Sequence, residues 1–381
     1  MTLDITALPA RHGDALLLSA GPARVLIDGG PSRVWDHALA PALATLGRGG
    51  PASIDLMMVS HIDADHITGI LELTAALSAA HQGGKPPAAK IRETWFNGFT
   101  DALALAEPAP AEAAALSLSS ASGPLATLFA GQGDARLVLS SVSQGRRLTD
   151  ALDTLAIPRN PGFAGGLAIA GARRDDWRCG PLTLRVIGPD MAAVEKLRRK
   201  WAQQLPRILA REASEAELVS LDRSVYNLSS IVVVAEAGGR RALLTGDARG
   251  DMILEWLCAA GLSGPELHFD ILKMPHHGSD RNIDLAFLSA VTADHYLVSG
   301  DGKHGNPEPR MFELLFQARR GARYRVHLTY PLGAICAHRE FDRDGRTERL
   351  RCILERAPAG CIVEPADAAG GARINLSAGS S

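Results

Sequence analysis

The chain has 381 residues, with 40 Lys and Arg against 42 Asp and Glu, a formal charge of −2, and 46% hydrophobic residues. Apolar content this high at so low a net charge excludes a disordered chain, and the charge balance argues against a basic nucleic-acid coat protein. The length accommodates two or three domains, or one large α/β domain with insertions.

Alternation over Leu3–Leu8 predicts a strand, and the apolar runs Ala15–Ser19 and Val25–Ile27, separated by Gly21-Pro22, predict two more. Asp28-Gly29-Gly30-Pro31 breaks the pattern, and Val34–Leu46 then reads as a helix stopped by Gly47. The short apolar run Ile54–Val59 suits a buried strand. It feeds directly into Ser60-His61-Ile62-Asp63-Ala64-Asp65-His66, followed by a helix over Ile67–Ala80. After a Gly/Pro loop, Ile91–Phe96 reads as a strand, and the Ala-, Ser- and Pro-rich stretch Ala102–Ala130 as one or two helices. Leu182–Ile187 predicts a strand and Met191–Ala210 a helix kinked at Pro206.

Ser230–Ala235 and Arg241–Thr245 flank Gly238-Gly239, a hairpin signal, and Gly246-Asp247 ends the second strand. There follow a helix (Met252–Ala260), a strand (Phe269–Met274) ending in Pro275-His276-His277-Gly278-Ser279, a helix (Ile283–Ala290), a strand (His295–Val298) and a helix (Pro309–Arg319). Tyr324–Glu355 is expected to form antiparallel strands turning at Asp344-Gly345, and residues 366–381, rich in Ala, Gly and Ser, a loose tail.

The five cysteines (Cys179, Cys258, Cys336, Cys352 and Cys361) are odd in number and widely spaced, so buried free thiols are expected rather than a disulfide framework or a cysteine zinc knot. The N-terminus has no basic start followed by an apolar stretch, and no run of about 18 apolar residues occurs, so neither a signal peptide nor a membrane span is expected. A reducing cytoplasmic location fits these features.

His61, Asp63, Asp65 and His66 place four metal-capable side chains within six residues at the end of a buried strand. Alternation sends His61, Asp63 and Asp65 to one side, and His66 comes from the turn into the helix. A strand end opening into a helix is where α/β sheets hold ligands, and mixed His and carboxylate ligands suit zinc, manganese or iron. The plainer alternative is a polar turn in which Asp65 caps the helix. Residues 195–212 carry six Lys or Arg against two Glu, and residues 309–325 five Arg against one Glu, each a net +4. Such stretches either track a phosphate backbone or are solvated helix faces. With 5% aromatic residues, stacking platforms for single strands are few.

The constellation resembles the metallo-β-lactamase superfamily, whose hallmark is H-x-H-x-D-H, and more closely the soluble metallo-hydrolase part of ComEC-type competence proteins. The matching segments run in order: His12-Gly13-Asp14-Ala15, Val25–Gly30, Ser60–Gly69, Asn227 to Val232, Leu244-Thr245-Gly246-Asp247, Leu272–Ser279, and Ser299-Gly300-Asp301 through His304-Gly305-Asn306-Pro307. They cover about residues 1–80 and 225–335. The resemblance implies an α/β fold, an αββα sandwich with a metal site at one edge. It would be one domain over residues 1–365 with a largely helical insertion at about 85–220.

By the same resemblance, His61 and Asp63 would sit at a first metal position, Asp65 and His66 at a second, and Asp247 would bridge them. One of His276 and His277 would complete the second position, and the other would contact a substrate phosphate or support a ligand. Asp63 stands where the family carries a second His, a harder ligand that favours manganese or iron over zinc. The family often supplies a further His before the bridging Asp, but no histidine occurs between residues 82 and 267. Asn227 or Asp222, water or substrate would stand in, leaving the first position the weaker one. His304 would reach the site and donate to a substrate oxygen, unless it is a solvated loop residue. Asp14 and Asp28 match positions near the metals with a supporting role, and Asn227 and Ser279 complete the set facing metal or substrate. His12 stands where ComEC-type proteins tend to carry Gln.

The implied function is a hydrolase with one or two divalent ions, Zn or Mn with Fe as a third option. Its nucleophile would be a metal-bound hydroxide, with Asp65, Asp247 and His304 as catalytic candidates. The implied substrate is a phosphodiester, nucleic acid included, with no membrane partner. Two alternatives stand beside it. One is a small-molecule ester, lactone or phosphoester hydrolase with segment 85–220 as its lid. The other is a non-catalytic, metal-stabilised interaction module.

Overall fold

The computed structural model describes residues 2–98, 133–199, 229–264, 267–366 and 369–377. Strands β1 (Leu3–Ala7), β2 (Leu16–Ala20) and β3 (Ala23–Ile27) form an antiparallel meander. A π-helical turn, Trp35–Leu39, leads into α1 (Ala40–Gly47), and β4 (Ala52–Ile54) and β5 (Leu56–Val59) follow. Next come α2 (Ala64–Gln82), β6 (Ala89–Ile91), β7 (Thr94–Phe96) and α3 (Gly133–Thr154). Strand β5 runs parallel to both β3 and β7, which makes α1 and α2 the crossovers that parallel pairing requires.

The remaining chain opens with the antiparallel pairs β8 (Trp177–Cys179) with β9 (Leu182–Gly188) and β10 (Val232–Ala237) with β11 (Arg240–Leu244). Gly238 and Gly239 hold φ of +59° and +78° in the second turn, the backbone that a two-residue hairpin of this hand requires. Then follow α4 (Gly250–Ala259), β12 (Leu267–Lys273), α5 (Leu285–Ala290), β13 (Val291–Val298), α6 (Pro309–Ala318) and β14 (Arg325–Leu328). Helices α7 (Leu332–Ala337) and α8 (Arg346–Leu354) precede β15 (Ile362–Val363) and β16 (Ala372–Leu376). Neighbours from β11 to β15 are all parallel.

One sheet has the order β16-β1-β2-β3-β5-β7 and the other β15-β14-β13-β12-β11-β10-β9-β8, while β4 and β6 pair separately. The period of two divides each strand between two cores. Leu56 and Met58 of β5 join Val233 and Ala235 of β10 in the core between the sheets. Met57 and Val59 face α1, α2 and α3, and Val232 and Val234 face α4, α5 and α6. The layers therefore run helices, sheet, sheet, helices, in a mixed α/β fold.

Three expectations need correction. Residues 324–355 are not antiparallel strands. Only Arg325–Leu328 is a strand, parallel to β13, and the rest folds as α7, a 3-10 turn at Arg343–Gly345 and α8. The apolar residues Ile335, Leu350 and Ile353 are buried at helical, not alternating, spacing. The supposed tail contains β16, which pairs antiparallel with β1 and buries Ile374 and Leu376. Segment 85–220 carries α3 and the helical residues 191–199, and it also gives β7 to one sheet and β8 and β9 to the other. The break at Asp55, whose carboxylate accepts from the Arg24 N–H at 2.9 Å, separates β4 from β5.

Residues 191–199 are helical, whereas residues 200–210, Pro206 and the expected 102–130 helices lie outside the described residues. All five cysteines are free, with Cys361 buried and Cys258 and Cys352 exposed. Among the described residues, no helix is long and apolar enough to cross a membrane. Arg310 and Arg349 both pair with Glu313, which neutralises part of the 309–325 stretch.

Candidate metal centre

Asp28 directly follows β3, Ser60–His66 follows β5, Asp247 follows β11, and His276 and His277 follow β12. Asp14 comes from the β1–β2 connection. The carboxyl ends of parallel strands thus gather the candidate residues, as open α/β sheets do with their ligands. The β3 loop presses on α2, and a Cβ on Gly69 would fall 1.9 Å from the Gly29 carbonyl oxygen. That contact carries two backbone bonds, Gly29 N–H to His66 O at 2.8 Å and Gly69 N–H to Gly30 O at 2.9 Å. It also sets Asp28 beside His66.

Asp247 lies at the middle of four imidazoles. Its Oδ1 is 3.4 Å from His66 Nε2, and its Oδ2 is 3.5 Å from His276 Nε2, 3.5 Å from His277 Nε2 and 3.8 Å from His61 Nε2. Asp63 Oδ2 is 3.5 Å from His61 Nε2, Asp65 Oδ2 is 3.5 Å from His277 Nε2, and Asp65 Oδ1 is 4.0 Å from His66 Nε2.

Every one of the four Nδ1 atoms is tied from behind. His61 Nδ1 meets Ser60 Oγ at 3.0 Å, His66 Nδ1 meets Asp28 Oδ2 at 2.8 Å, His276 Nδ1 meets Asn282 Oδ1 at 2.8 Å, and His277 Nδ1 meets Ser299 Oγ at 3.0 Å. Asn282 donates from Nδ2 to the Asp247 carbonyl at 3.0 Å, so its Oδ1 accepts from His276. A histidine held at Nδ1 presents Nε2 as a ligand atom, an arrangement typical of metal sites.

The His pair sits on a strained turn. His276, His277 and Gly278 have φ of +46°, +53° and +81°. Left-handed backbone costs a non-glycine residue roughly 1–2 kcal/mol, and such strain collects at functional sites.

Charge balance explains the ionisation of the cluster. Burial alone would lower His66 and His277. The Asp247 carboxylate, with Asp28 and Asp65 for His66 and Asp14 for His277, instead raises both well above the usual imidazole range. Burial would raise Asp247, but His277, His276 and His66 hold it well below the carboxylate range. Asp65 is likewise lowered, by His66 and His277 against its burial. Removal from water raises Asp63 despite His61 beside it.

Asp14, His66, Asp247 and His277 are all buried and offer ligand atoms within 4.8 Å of one another, a group that could hold a metal ion. Within it, Asp14 is engaged through one oxygen, and its Oδ1 is buried without a hydrogen bond. Its Oδ2 pairs with Lys273 Nζ at 2.8 Å and its Oδ1 is 3.6 Å from His277 Nδ1, the far side of that ring. Asp14 thus lies beside His277, whose Nδ1 is held by Ser299. Burial would raise its carboxyl, yet Lys273 and His277 hold it far below the usual range. The donor set fits a divalent ion. His61 Nε2, Asp63 Oδ1 and Asp247 Oδ1 are buried without a hydrogen bond, at about 1–3 kcal/mol for each such atom, and a cation among them would satisfy all three.

Of the other expected residues, His304 is 60% exposed and pairs with Glu340 at 3.4 Å, its ring against His12 at 5.4 Å. Ser279 is buried, and its N–H closes the turn onto the His276 carbonyl at 2.9 Å. Asn227 and Asp222 lie outside the described residues. Sequence reasoning missed Lys273, Ser60, Asn282 and Ser299. Lys273 had a signal, since a lysine inside the apolar run Phe269–Met274 must find a buried partner.

No family model matches the chain, and no curated protein matches it. Among solved structures, a protein of unknown function from Enterococcus faecalis V583 matches at 10% identity and a TM-score of 0.29, over 87% of this chain and 71% of that one. A likeness at that level carries no argument, and the site rests on its own geometry.

Proposed function

We propose that the chain is a metal-dependent hydrolase of the metallo-β-lactamase type, acting on phosphodiesters with nucleic acid among its substrates. The observation that carries the reading is the Asp247 carboxylate, buried and 3.4–3.8 Å from four imidazole Nε2 atoms. The helices-sheet-sheet-helices layering and the placement of the cluster at strand ends support it. His61, Asp63, Asp247 and His276 would hold one cation, and Asp65, His66, Asp247 and His277 the other. His276 thereby stands in for the histidine lacking before Asp247.

When bound, divalent zinc or manganese supplies Lewis acidity toward a phosphoryl oxygen and brings the pKa of water toward neutrality. The side chains do the rest. Asp65 and Asp247, kept ionised by neighbouring imidazoles, only accept hydrogen bonds and so orient the protons of a water. The Ser230 hydroxyl accepts from the Asp247 N–H at 3.2 Å and Asn282 holds its carbonyl, which fixes that carboxylate among the rings.

The test is turnover by zinc- or manganese-reconstituted protein of bis-p-nitrophenyl phosphate, p-nitrophenyl acetate, plasmid and single-stranded DNA. Metal-dependent cleavage of the diester is expected. Cleavage of the acetate alone would move the assignment to a small-ester hydrolase, and no turnover of any substrate would leave a metal-stabilised module.

A further inference from the structure

Two loops meet at the rim of the centre. One carries His12, next to Gly13, where a Cβ would fall 1.9 Å from the Asp65 carbonyl oxygen. The other, after β13, carries Lys303, whose Nζ lies 3.2 Å from His12 Nε2. A lysine ammonium only donates, so His12 Nε2 accepts and the ring proton sits on Nδ1. One of the three ammonium donors is thereby used.

The two lysines near the centre differ in their partners. Lys273, 1% exposed, is neutralised by Asp14 at 2.8 Å. Lys303 is half-buried, and among the described residues no ion pair is formed by its Nζ, although Glu340 is near enough to be lowered by its charge. Its loop is nevertheless tied down. Lys303 N–H donates to Asp301 Oδ1 at 3.0 Å, His304 N–H to Glu340 Oε2 at 3.0 Å, and Gly302 N–H to Asn306 O at 3.0 Å. The His304 ring stands edge-on to His12 at 5.4 Å. A cation held on a preorganised loop, with donors to spare, is an anion-binding element.

We propose that Lys303, steadied by His12, is a specificity-determining residue that binds a phosphoryl oxygen of the substrate beside the metal centre. This rests on the hydrolase reading above and narrows it, favouring substrates with an anionic phosphoryl group over neutral esters. His304 packs edge-on against His12 on the same rim.

The experiment is a calorimetric titration of inorganic phosphate into zinc-loaded wild type, Lys303→Gln and Lys303→Arg, with zinc content measured for each and sodium acetate as the control anion. Lys303→Gln is expected to weaken phosphate binding by about tenfold or more, the size of one charge-assisted hydrogen bond. Lys303→Arg is expected to retain most of the affinity, zinc content to stay constant, and acetate to bind more weakly than phosphate. Equal phosphate affinity in wild type and Lys303→Gln, or no phosphate binding by the wild type, overturns the proposal. If the wild type takes up no zinc, the hydrolase reading falls, and the same titration on metal-free protein still decides the role of Lys303: weaker binding by Lys303→Gln upholds it, and equal binding overturns it.

Discussion

His276 and His277 are neighbours in the chain, and their Nε2 atoms both lie 3.5 Å from Asp247 Oδ2. Successive residues of a strand point to opposite faces, so extended backbone could not bring both rings to one oxygen. The left-handed turn through His276, His277 and Gly278 does so, leaving the rings 5.9 Å apart at 73°.

Gly278→Ala tests that turn. At φ of +81°, an added Cβ would stand 3.0 Å from Pro307 Cβ and 3.1 Å from Met311 Cε. Left-handed strain alone should lower stability by about 1–2 kcal/mol, read from the urea midpoint, and metal affinity should fall with it. An unchanged midpoint and unchanged affinity would show that the turn is not under strain.

The protonation of His66 and His277 should make metal uptake release protons. Both imidazoles are raised above their usual value, so without metal their stabilising contribution is full below about pH 6.5 and is lost as pH rises through the folded values. Asp247 is lowered, so its contribution is present above the usual carboxylate range and is lost as pH falls below it. Metal-free protein should therefore melt at progressively lower temperature as pH rises through and beyond neutrality. Metal-loaded protein should not, because the cation takes the place of the protons. Calorimetry of metal binding at pH 7 in two buffers of different ionisation enthalpy counts the release, and uptake without released protons would contradict the assignment.

Much of the centre was legible because its chemistry is local in sequence. His61 to His66 sit on a strand end entering a helix, and Asp247 and the His pair each close an apolar run, so periodicity placed them at strand ends, and the family resemblance implied that those ends share one edge. The choice between His276 and His277 was not legible, because it depends on two left-handed dihedrals that side-chain patterning does not encode. Asp14 and Lys273 are 259 positions apart, and only the closed fold brings them to 2.8 Å. Strand β16 was hidden by its Ala- and Gly-rich flanks, and α7 and α8 by reading apolar residues at helical spacing as alternation.

Lys273 and Asp14 are 1% and 2% exposed, so Lys273→Met would strand a buried carboxylate. Breaking one side of such a pair costs about 3–5 kcal/mol, measurable by chemical denaturation. The double variant Lys273→Met/Asp14→Leu should regain most of that stability, since apolar packing replaces buried ion pairs well. It should still bind metal about 10–100-fold more weakly, because the centre loses the buried Asp14 carboxylate beside His277. A double variant with full metal affinity would remove Asp14 from the centre.

The most direct measurement is metal stoichiometry together with bis-p-nitrophenyl phosphate turnover, for wild type and Asp247→Ala. Asp247 contacts all four imidazoles, so its removal should cost at least one bound ion per chain and abolish metal-dependent cleavage. A wild type that binds no divalent metal, or an Asp247→Ala protein that keeps both its ions and its turnover, would contradict a centre built on this carboxylate.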